Sequence, residues 1–146
     1  MTRIIALALG LAALTGCIFV DDSPPVHHDP IVVVTNSPPV VFDGWSACSF
    51  DAGYNDDIWS FEADVDDADG VYDVVQVWAD VYDDNTGELV QSFELYPSDD
   101  PVVWYADFMA SSTYLDCWYG GYSVDLVAYD SVDDYGVLTI FPDTYR

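Results

Sequence analysis

The segment Trp59-Ser60-Phe61-Glu62-Ala63-Asp64-Val65 decides the fold of this protein, because apolar and polar residues alternate along it without a break. Side chains of a β-strand point alternately to the two faces of a sheet, so a period of two indicates a strand with one buried face. An amphipathic helix would instead repeat every 3.6 residues or so, about 100° per residue. We therefore predict a strand over 59–65, with Trp59, Phe61 and Val65 in the core.

The same alternation recurs along the rest of the chain, and turn-forming sequences such as Asp84-Asn85-Thr86-Gly87 separate the segments. The predicted inward faces are Val75, Val77, Ala79 and Val81; Leu89, Phe93 and Leu95; Val102, Trp104, Ala106 and Phe108; Tyr122, Val124, Leu126 and Ala128; and 137–141. With a first strand near 44–50, these segments predict an all-β fold, a single antiparallel β-sandwich of about seven strands.

Two short passages resemble the immunoglobulin-like domains of bacterial surface lipoproteins. The stretch Asp67-Ala68-Asp69-Gly70-Val71-Tyr72-Asp73-Val74 is similar to the passage from the second to the third strand of such domains. The stretch Gly120-Gly121-Tyr122-Ser123-Val124 is similar to the start of the sixth strand, with Tyr122 at the tyrosine-corner position. The resemblance implies an Ig-like sandwich over residues 43–146. Trp78 departs from it, since this side chain falls on the polar face of its strand.

The N-terminus carries a targeting pattern. Arg3 precedes an apolar run from Ile4 to Leu14, which is too short to span a bilayer. The run ends in Leu14-Thr15-Gly16-Cys17, which closely resembles the bacterial lipobox. This resemblance implies a signal peptide over 1–16, cleavage before Cys17 and acylation of that cysteine with palmitate-type chains. The alternative is an ordinary signal peptide with a chance cysteine.

A lipid anchor would place the protein in the bacterial cell envelope, and Ile18 after the lipidated cysteine favours the outer membrane by analogy with enteric bacteria. Residues 17–42 contain Ser23-Pro24-Pro25, Asp29-Pro30 and Ser37-Pro38-Pro39. Because proline favours extended polyproline II structure, we predict a semi-rigid linker between anchor and domain.

Cys48 and Cys117 remain as a pair once Cys17 is assigned to lipid. In an oxidising compartment such a pair favours a disulfide, and the alternative is two buried free thiols. If the strands alternate in direction, Cys48 near the end of the first strand and Cys117 in the fifth connection lie at the same end of the sandwich. The topology therefore permits the bond.

The formal net charge is −25, from 27 acidic residues against Arg3 and Arg146. Removal of residues 1–16 would leave Arg146 alone, for a net charge of 1 − 27 = −26. Nucleic-acid binding needs a cationic surface, so this class of partner is excluded. Hydrophobic residues still make up 51% of the chain, which indicates a folded core and not a disordered acidic segment.

Acidic residues concentrate in the turns that the topology places at one end of the sandwich. Calcium takes six to eight oxygen ligands in flexible geometry, and clustered carboxylates on loops can supply them. The hypothesis of a calcium site selects as ligands Asp66, Asp67, Asp69, Asp130 and Asp133. The alternative is that these acidic turns are solvated and bind no ion.

Aromatic residues form a second surplus. Tyr72, Trp78 and Tyr82 occupy the polar face of the third predicted strand, where exposed rings could stack on sugars or dock a protein. The competing interpretation is a second apolar layer that other parts of the chain cover.

Catalytic constellations are weak, because His27 and His28 both lie on the linker and lysine is absent. We therefore expect a non-enzymatic, lipid-anchored envelope module that acts in protein–protein or structural interactions. The alternative is a carbohydrate-binding β-sandwich, stabilised by calcium. The sequence does not identify the protein or polysaccharide partner.

Overall fold

The computed structural model describes residues 35–145. The predicted signal peptide, the lipidation site Cys17, the first part of the linker and Arg146 lie outside this range. The strands are β1 (Val40–Asp51), β2 (Asp56–Asp66), β3 (Val74–Asp83), β4 (Glu88–Pro97), β5 (Val103–Met109), β6 (Tyr122–Asp130) and β7 (Tyr135–Ile140). Two 3₁₀ turns, Val71–Asp73 and Ala110–Ser112, precede β3 and follow β5. Within the described range, no helix is long and apolar enough to cross a membrane.

The seven strands are all antiparallel to their neighbours and follow the order β1-β2-β5-β4-β3-β6-β7. β4 pairs with β3 along most of its length but with β5 only through Tyr96 and Pro97. The sheet therefore folds over at β4 into two layers, β1-β2-β5 and β4-β3-β6-β7. This arrangement is an Ig-like β-sandwich, as the sequence predicted.

Aromatic side chains join the two layers in the core. Trp59 and Phe61 on β2 are buried, as the alternation predicted. The ring of Phe61 stacks on Phe93 of β4 with centroids 4.9 Å apart, and Trp59 meets Tyr122 of β6 edge-on at 6.1 Å. Such pairs add specific geometry to the burial of apolar area, so the rings set how the two layers face each other.

Several predicted core positions are wrong. Within the predicted inward segment 137–141, Val137 and Phe141 are exposed, while Leu138 and Ile140 pack against the core. Two further errors lie on β3 and β4. Val75 and Leu89 are exposed, whereas the neighbouring Val74 is buried and Val90 packs against the core. The pairing register shifts close to both places, between Val74 and Gln76 and between Val81 and Tyr82. A bulge inserts one unpaired residue, which reverses the facing of the side chains beyond it.

Cys48 and Cys117 form the predicted disulfide, with α-carbons 5.6 Å apart and both residues buried. The hydroxyl of Tyr122 accepts a hydrogen bond of 3.1 Å from the backbone N–H of Asp116, six residues upstream, which is the tyrosine-corner contact. The bond and the corner together tie the β5–β6 connection to β1 and β6.

The N-terminal boundary differs from the prediction. β1 begins at Val40, so the domain starts before residue 43 and not at it. Pro39 is fully buried, and residues 36–37 bond to loops of the domain. The final prolines of the predicted linker therefore belong to the folded unit, because their neighbours find specific partners there.

Candidate functional site

The sandwich has two chemically different ends. The acidic end contains the entry of β1 and the loops 67–73, 98–102 and 131–134, and the distal end contains the turns 52–55 and 84–87, the connection 110–121 and residues 141–145. Pairing of Val40 with Asp66 places the start of β1 at the acidic end. The disulfide lies at the distal end, so the N-terminal segment and the disulfide mark opposite ends of the domain.

Three carboxylates converge at the acidic end. Asp67 follows β2, Asp73 closes the 3₁₀ turn before β3, and Asp130 ends β6. One oxygen of each lies within 4.8 Å of the others. At an effective dielectric constant of about 20, two unit charges at this separation repel by roughly 3.5 kcal/mol. The cluster is therefore costly while all three groups are ionised and no positive charge is near.

Asp130 is held by the loop that follows it. Its Oδ1 accepts hydrogen bonds from the backbone N–H groups of Val132 and Asp134, both 2.9 Å, and its Oδ2 accepts one from Asn36 Nδ2 at 2.7 Å. Burial by itself raises the pKa of the Asp130 carboxyl, but these hydrogen bonds outweigh it and hold the pKa below its ordinary value. The Asp130 side chain is 0% exposed, so an ionised carboxylate lies wholly inside the domain.

Only one of the two carboxylate oxygens of Asp67 has a hydrogen-bond partner among the described residues. Its Oδ1 accepts a 2.7 Å bond from the backbone N–H of Asp69, while its Oδ2 is buried and has no hydrogen-bond partner among the described residues. The residue is 5% exposed. Buried polar atoms in proteins nearly always have partners, so an orphaned carboxylate oxygen marks a place where something else binds.

Of the five predicted calcium ligands, the structure brings Asp67 and Asp130 together and adds Asp73. Asp66, Asp69 and Asp133 are not members of the cluster. Asp66 accepts a bond from the Asp67 N–H, and Asp69 accepts one from the N–H of Ser37. Asp133 is exposed and has a left-handed backbone, with φ of 67°. Asp66 therefore stabilises its own turn, Asp69 binds the N-terminal segment, and Asp133 is a solvated turn residue.

Sequence reasoning missed Asp73. Its position depends on the 3₁₀ turn Val71–Asp73, which brings the chain back toward the end of β6. Ser131 Oγ, in the β6–β7 loop, donates a 2.5 Å hydrogen bond to Asp73 Oδ1. The only available signal was the acid immediately before a predicted strand, and this signal does not distinguish a ligand from an ordinary turn residue.

The N-terminal segment reaches the cluster. Asn36 Nδ2 donates to Asp130 and also, at 2.9 Å, to Asp134 Oδ2, while the N–H of Ser37 donates to Asp69 Oδ2 at 2.7 Å. The segment that leads toward the predicted anchor is therefore attached to the same loops that present the carboxylates.

The three aromatic residues selected from the sequence do not form one row. Tyr72 lies on the 3₁₀ turn before β3 and is 85% exposed, whereas Trp78 and Tyr82 lie half-buried on the outer face of β3. Tyr72 borders an open cavity of about 320 Å³ between the β2–β3 and β4–β5 loops, which Trp104 also lines. Tyr72 is separated from Trp78 and Tyr82 because the chain forms a 3₁₀ turn at Tyr72. The alternation of side chains along β3 therefore does not extend to this residue.

A set of aromatic side chains that the sequence did not single out is exposed at the distal end. We call these individually exposed side chains at the loops and strand ends of that end the distal aromatic patch: Phe50, Tyr54, Tyr114, Trp118 and Phe141. Trp118 is 70% exposed although it directly follows the disulfide residue Cys117. Its ring packs against Tyr145 with centroids 4.9 Å apart, and the backbone N–H of Trp118 donates to Asp116 Oδ1.

The fold and these features define an acidic Ig-like β-sandwich with a carboxylate cluster at one end and an aromatic surface at the other. Comparison with known proteins gives no match: no family model fits the chain, and no curated protein or solved structure is similar to it. The function is therefore argued from the geometry of the domain.

Proposed function

We propose that the protein is a non-catalytic, lipid-anchored module of the bacterial envelope that binds a protein partner through its distal aromatic patch. The observation that carries this proposal is Trp118, which is largely exposed and yet held in place by the disulfide next to it and by Tyr145. Interfaces take most of their energy from a few Trp, Tyr and Arg side chains, and binding costs less when such a side chain is already ordered.

The orientation of the domain supports the same proposal. The N-terminal segment enters at the acidic end, and β1 runs from there to the distal end over 12 residues, or roughly 36–40 Å. An anchor at Cys17 would hold the acidic end nearer the membrane and leave the aromatic patch facing away from it. The surface that is chemically suited to a partner is then also the one that a partner can reach.

The composition of the patch and its rim limits the chemical class of partner that it can bind. Asp51 directly follows the exposed Phe50, and Asp116 lies two residues before Trp118. Residues 35–145 contain no Lys, Arg or His, so every charged side chain on the described part of this surface is acidic. A partner that offers an apolar pocket with a basic rim would be complementary in both shape and charge.

Site-specific photo-crosslinking in the native envelope tests this function. A photoreactive residue at position 114 is expected to capture one discrete protein, and Trp118→Ala should abolish the adduct because it removes the ordered ring on which we propose that the partner docks. A probe at Tyr72, on an equally exposed ring at the acidic end, serves as control and should give no such adduct. No adduct at position 114, or an adduct that Trp118→Ala leaves unchanged, would contradict the proposal.

The anchor is tested separately. Growth with a labelled fatty acid should label the wild-type chain but not Cys17→Ser, and the Cys17→Ser chain should leave the membrane fraction. If the fatty acid labels both chains, or neither, the assignment of the lipobox is wrong.

A carbohydrate-binding module is the second candidate, favoured by the exposed ring of Tyr72 beside its cavity. Aromatic rings on such rims stack on sugar faces. A glycan array probed with the full chain decides between the two functions: binding that Tyr72→Ala abolishes and Trp118→Ala retains would support the carbohydrate function.

A further inference from the structure

We propose that Asp67, Asp73 and Asp130 form a binding site for a divalent cation, and that Ca²⁺ is the ion it takes. This site goes beyond the partner-binding function, because it lies at the acidic end of the domain and not at the distal aromatic patch.

The geometry of the cluster suits a cation. Oxygens of all three residues lie within 4.8 Å of one another. Calcium–oxygen distances are about 2.3–2.6 Å, so ligands on opposite sides of one ion are separated by roughly 4.6–5.2 Å. Three oxygens no more than 4.8 Å apart leave a central point within about 4.8/√3 ≈ 2.8 Å of each, close to a calcium–oxygen distance, so small shifts of the side chains would let one ion contact all three.

A second and independent observation is the orphaned oxygen. Asp67 Oδ2 is buried without a hydrogen-bond partner among the described residues, in a side chain that is 95% buried. A carboxylate oxygen removed from water in this way needs a donor or a positive charge. A cation would supply that charge. Asp64 Oδ1 on β2 is also buried without a partner among the described residues, but Asp64 does not belong to the cluster, whereas Asp67 does.

No side chain of the described residues can neutralise the cluster. Residues 35–145 contain no Lys, Arg or His, so no ion pair is available within that range. Buried charges in proteins are paired or coordinate metals, and among the described residues only the second option remains. The loop fixes the position of Asp130, because its Oδ1 accepts hydrogen bonds from the backbone N–H groups of Val132 and Asp134.

The ligand chemistry selects the ion. All three groups are carboxylates, hard oxygen ligands that suit Ca²⁺, Mg²⁺ or Mn²⁺, whereas zinc sites in proteins usually contain His or Cys. The ligands come from three separate loops and not from a rigid octahedral frame, and Ca²⁺ tolerates such irregular geometry better than Mg²⁺. We therefore expect Ca²⁺ to bind more tightly than Mg²⁺.

The ion would also stiffen the junction with the N-terminal segment. Asn36 donates to Asp130, one of the three ligands, and Ser37 donates to Asp69 in the same loop as Asp67. Loops that the cation orders would hold these acceptors in place, and the acidic end would then be firmly attached to the segment that leads to the anchor.

The test compares the purified full chain in EDTA and in millimolar CaCl₂ at constant ionic strength. Calorimetric titration with CaCl₂ should show one ion bound per chain, with weaker binding of MgCl₂. At a hundredfold excess over Kd, the Tm should rise on the order of 5–10 °C. Absence of both binding and a Tm shift would overturn the proposal.

The variant Asp73→Asn gives a test that a merely structural role would not pass. It keeps Oδ1, the acceptor for Ser131, but removes one charge. In EDTA it should melt above the wild type because repulsion is relieved, and in CaCl₂ it should melt below the wild type because a ligand is lost. Lower stability in both solutions would indicate a purely structural residue and overturn the site.

Asp99→Asn is the matched control, since Asp99 lies at the same end but outside the cluster. It should keep the full response to Ca²⁺. If Asp99→Asn and Asp73→Asn lose the response equally, Ca²⁺ acts by general screening of the acidic surface and the proposed site is wrong. Asp67→Asn provides a second ligand variant in which one-ion binding should be lost.

Discussion

Gly136 of β7 lies directly against Pro39, the last residue before β1. A β-carbon at position 136 would overlap the carbonyl oxygen of Pro39 and lie 3.0 Å from its carbonyl carbon. Only glycine permits this approach, so the close contact holds residues 35–39 against the edge of the sandwich. It also explains why Pro39 is buried although it belongs to a proline-rich segment.

We predict that Gly136→Ala destabilises the domain by about 1–3 kcal/mol, because backbone atoms must move apart to admit the methyl group. Urea denaturation measures the free energy of unfolding. Gly120→Ala is the matched control, since a β-carbon there would meet Thr144 Oγ1 at an ordinary 3.6 Å. Equal stability of the two variants would show that the N-terminal segment is not packed on β7.

The disulfide should be a major source of stability. Cys48 and Cys117 are separated by 69 residues, and a crosslink over a loop of this length stabilises by about 4 kcal/mol in the chain-entropy model. Reduction should therefore lower the midpoint of urea denaturation strongly. The Cys48→Ala/Cys117→Ala variant should start at the lower midpoint and show no response to the reductant; a response there would point to another cause.

Tyr122→Phe should cost about 1–2 kcal/mol, because the N–H of Asp116 loses its acceptor while the buried ring stays in place. Tyr135→Phe removes a hydroxyl from an exposed ring and should leave the free energy of unfolding unchanged. Denaturation curves of both variants measure the difference. If Tyr122→Phe is neutral, the tyrosine corner contributes no stability in this domain.

Stability should decline in alkaline solution. Burial raises the pKa of Tyr145, and the Asp57 carboxylate that accepts its hydrogen bond raises it further. Since the pKa in the folded state lies above the ordinary value of 10.0, this contribution is complete below pH 10 and is lost as the pH rises through the folded-state pKa.

Urea denaturation between pH 9 and about pH 11.5 checks this expectation. The free energy of unfolding of the wild type should fall more steeply than that of Tyr145→Phe, which has no phenol to ionise at this position. Tyr72→Phe, on an exposed ring, serves as control. Identical slopes for the wild type and Tyr145→Phe would show that this hydroxyl does not contribute.

Much of the fold was predictable because the two faces of a strand differ in polarity. Alternation over 59–65 and 122–128 identified β2 and β6 with their buried faces. Val75 and Leu89 were assigned wrongly because a bulge changes the facing of a side chain without changing the local pattern of polarity. These local errors did not affect the strand count, which depends on the number of alternating segments. They also did not affect the Cys48–Cys117 pairing, which depends on the assignment of Cys17 to lipid and on the direction of successive strands.

The candidate sites were less predictable. The topology correctly gathered acidic loops at one end, but connections at the distal end also contain acidic residues, such as Asp84 and Asp116, so the sequence offered no means of choosing the ligands. Burial distinguishes the cluster residues from the other acids: Asp67 and Asp130 are buried, while Asp66 and Asp133 are exposed to solvent. The distal aromatic patch escaped prediction because its members come from four separate segments with no common period.

The sequence by itself determined that this chain forms an acidic, all-β sandwich closed by a disulfide, because alternation, turn residues and cysteine count act locally or through strand direction alone. Only the tertiary structure decided which carboxylates meet, which aromatic rings stay exposed and how the N-terminal segment attaches. Those features depend on distances between residues far apart in the chain, such as Asn36 and Asp130, and packing sets such distances.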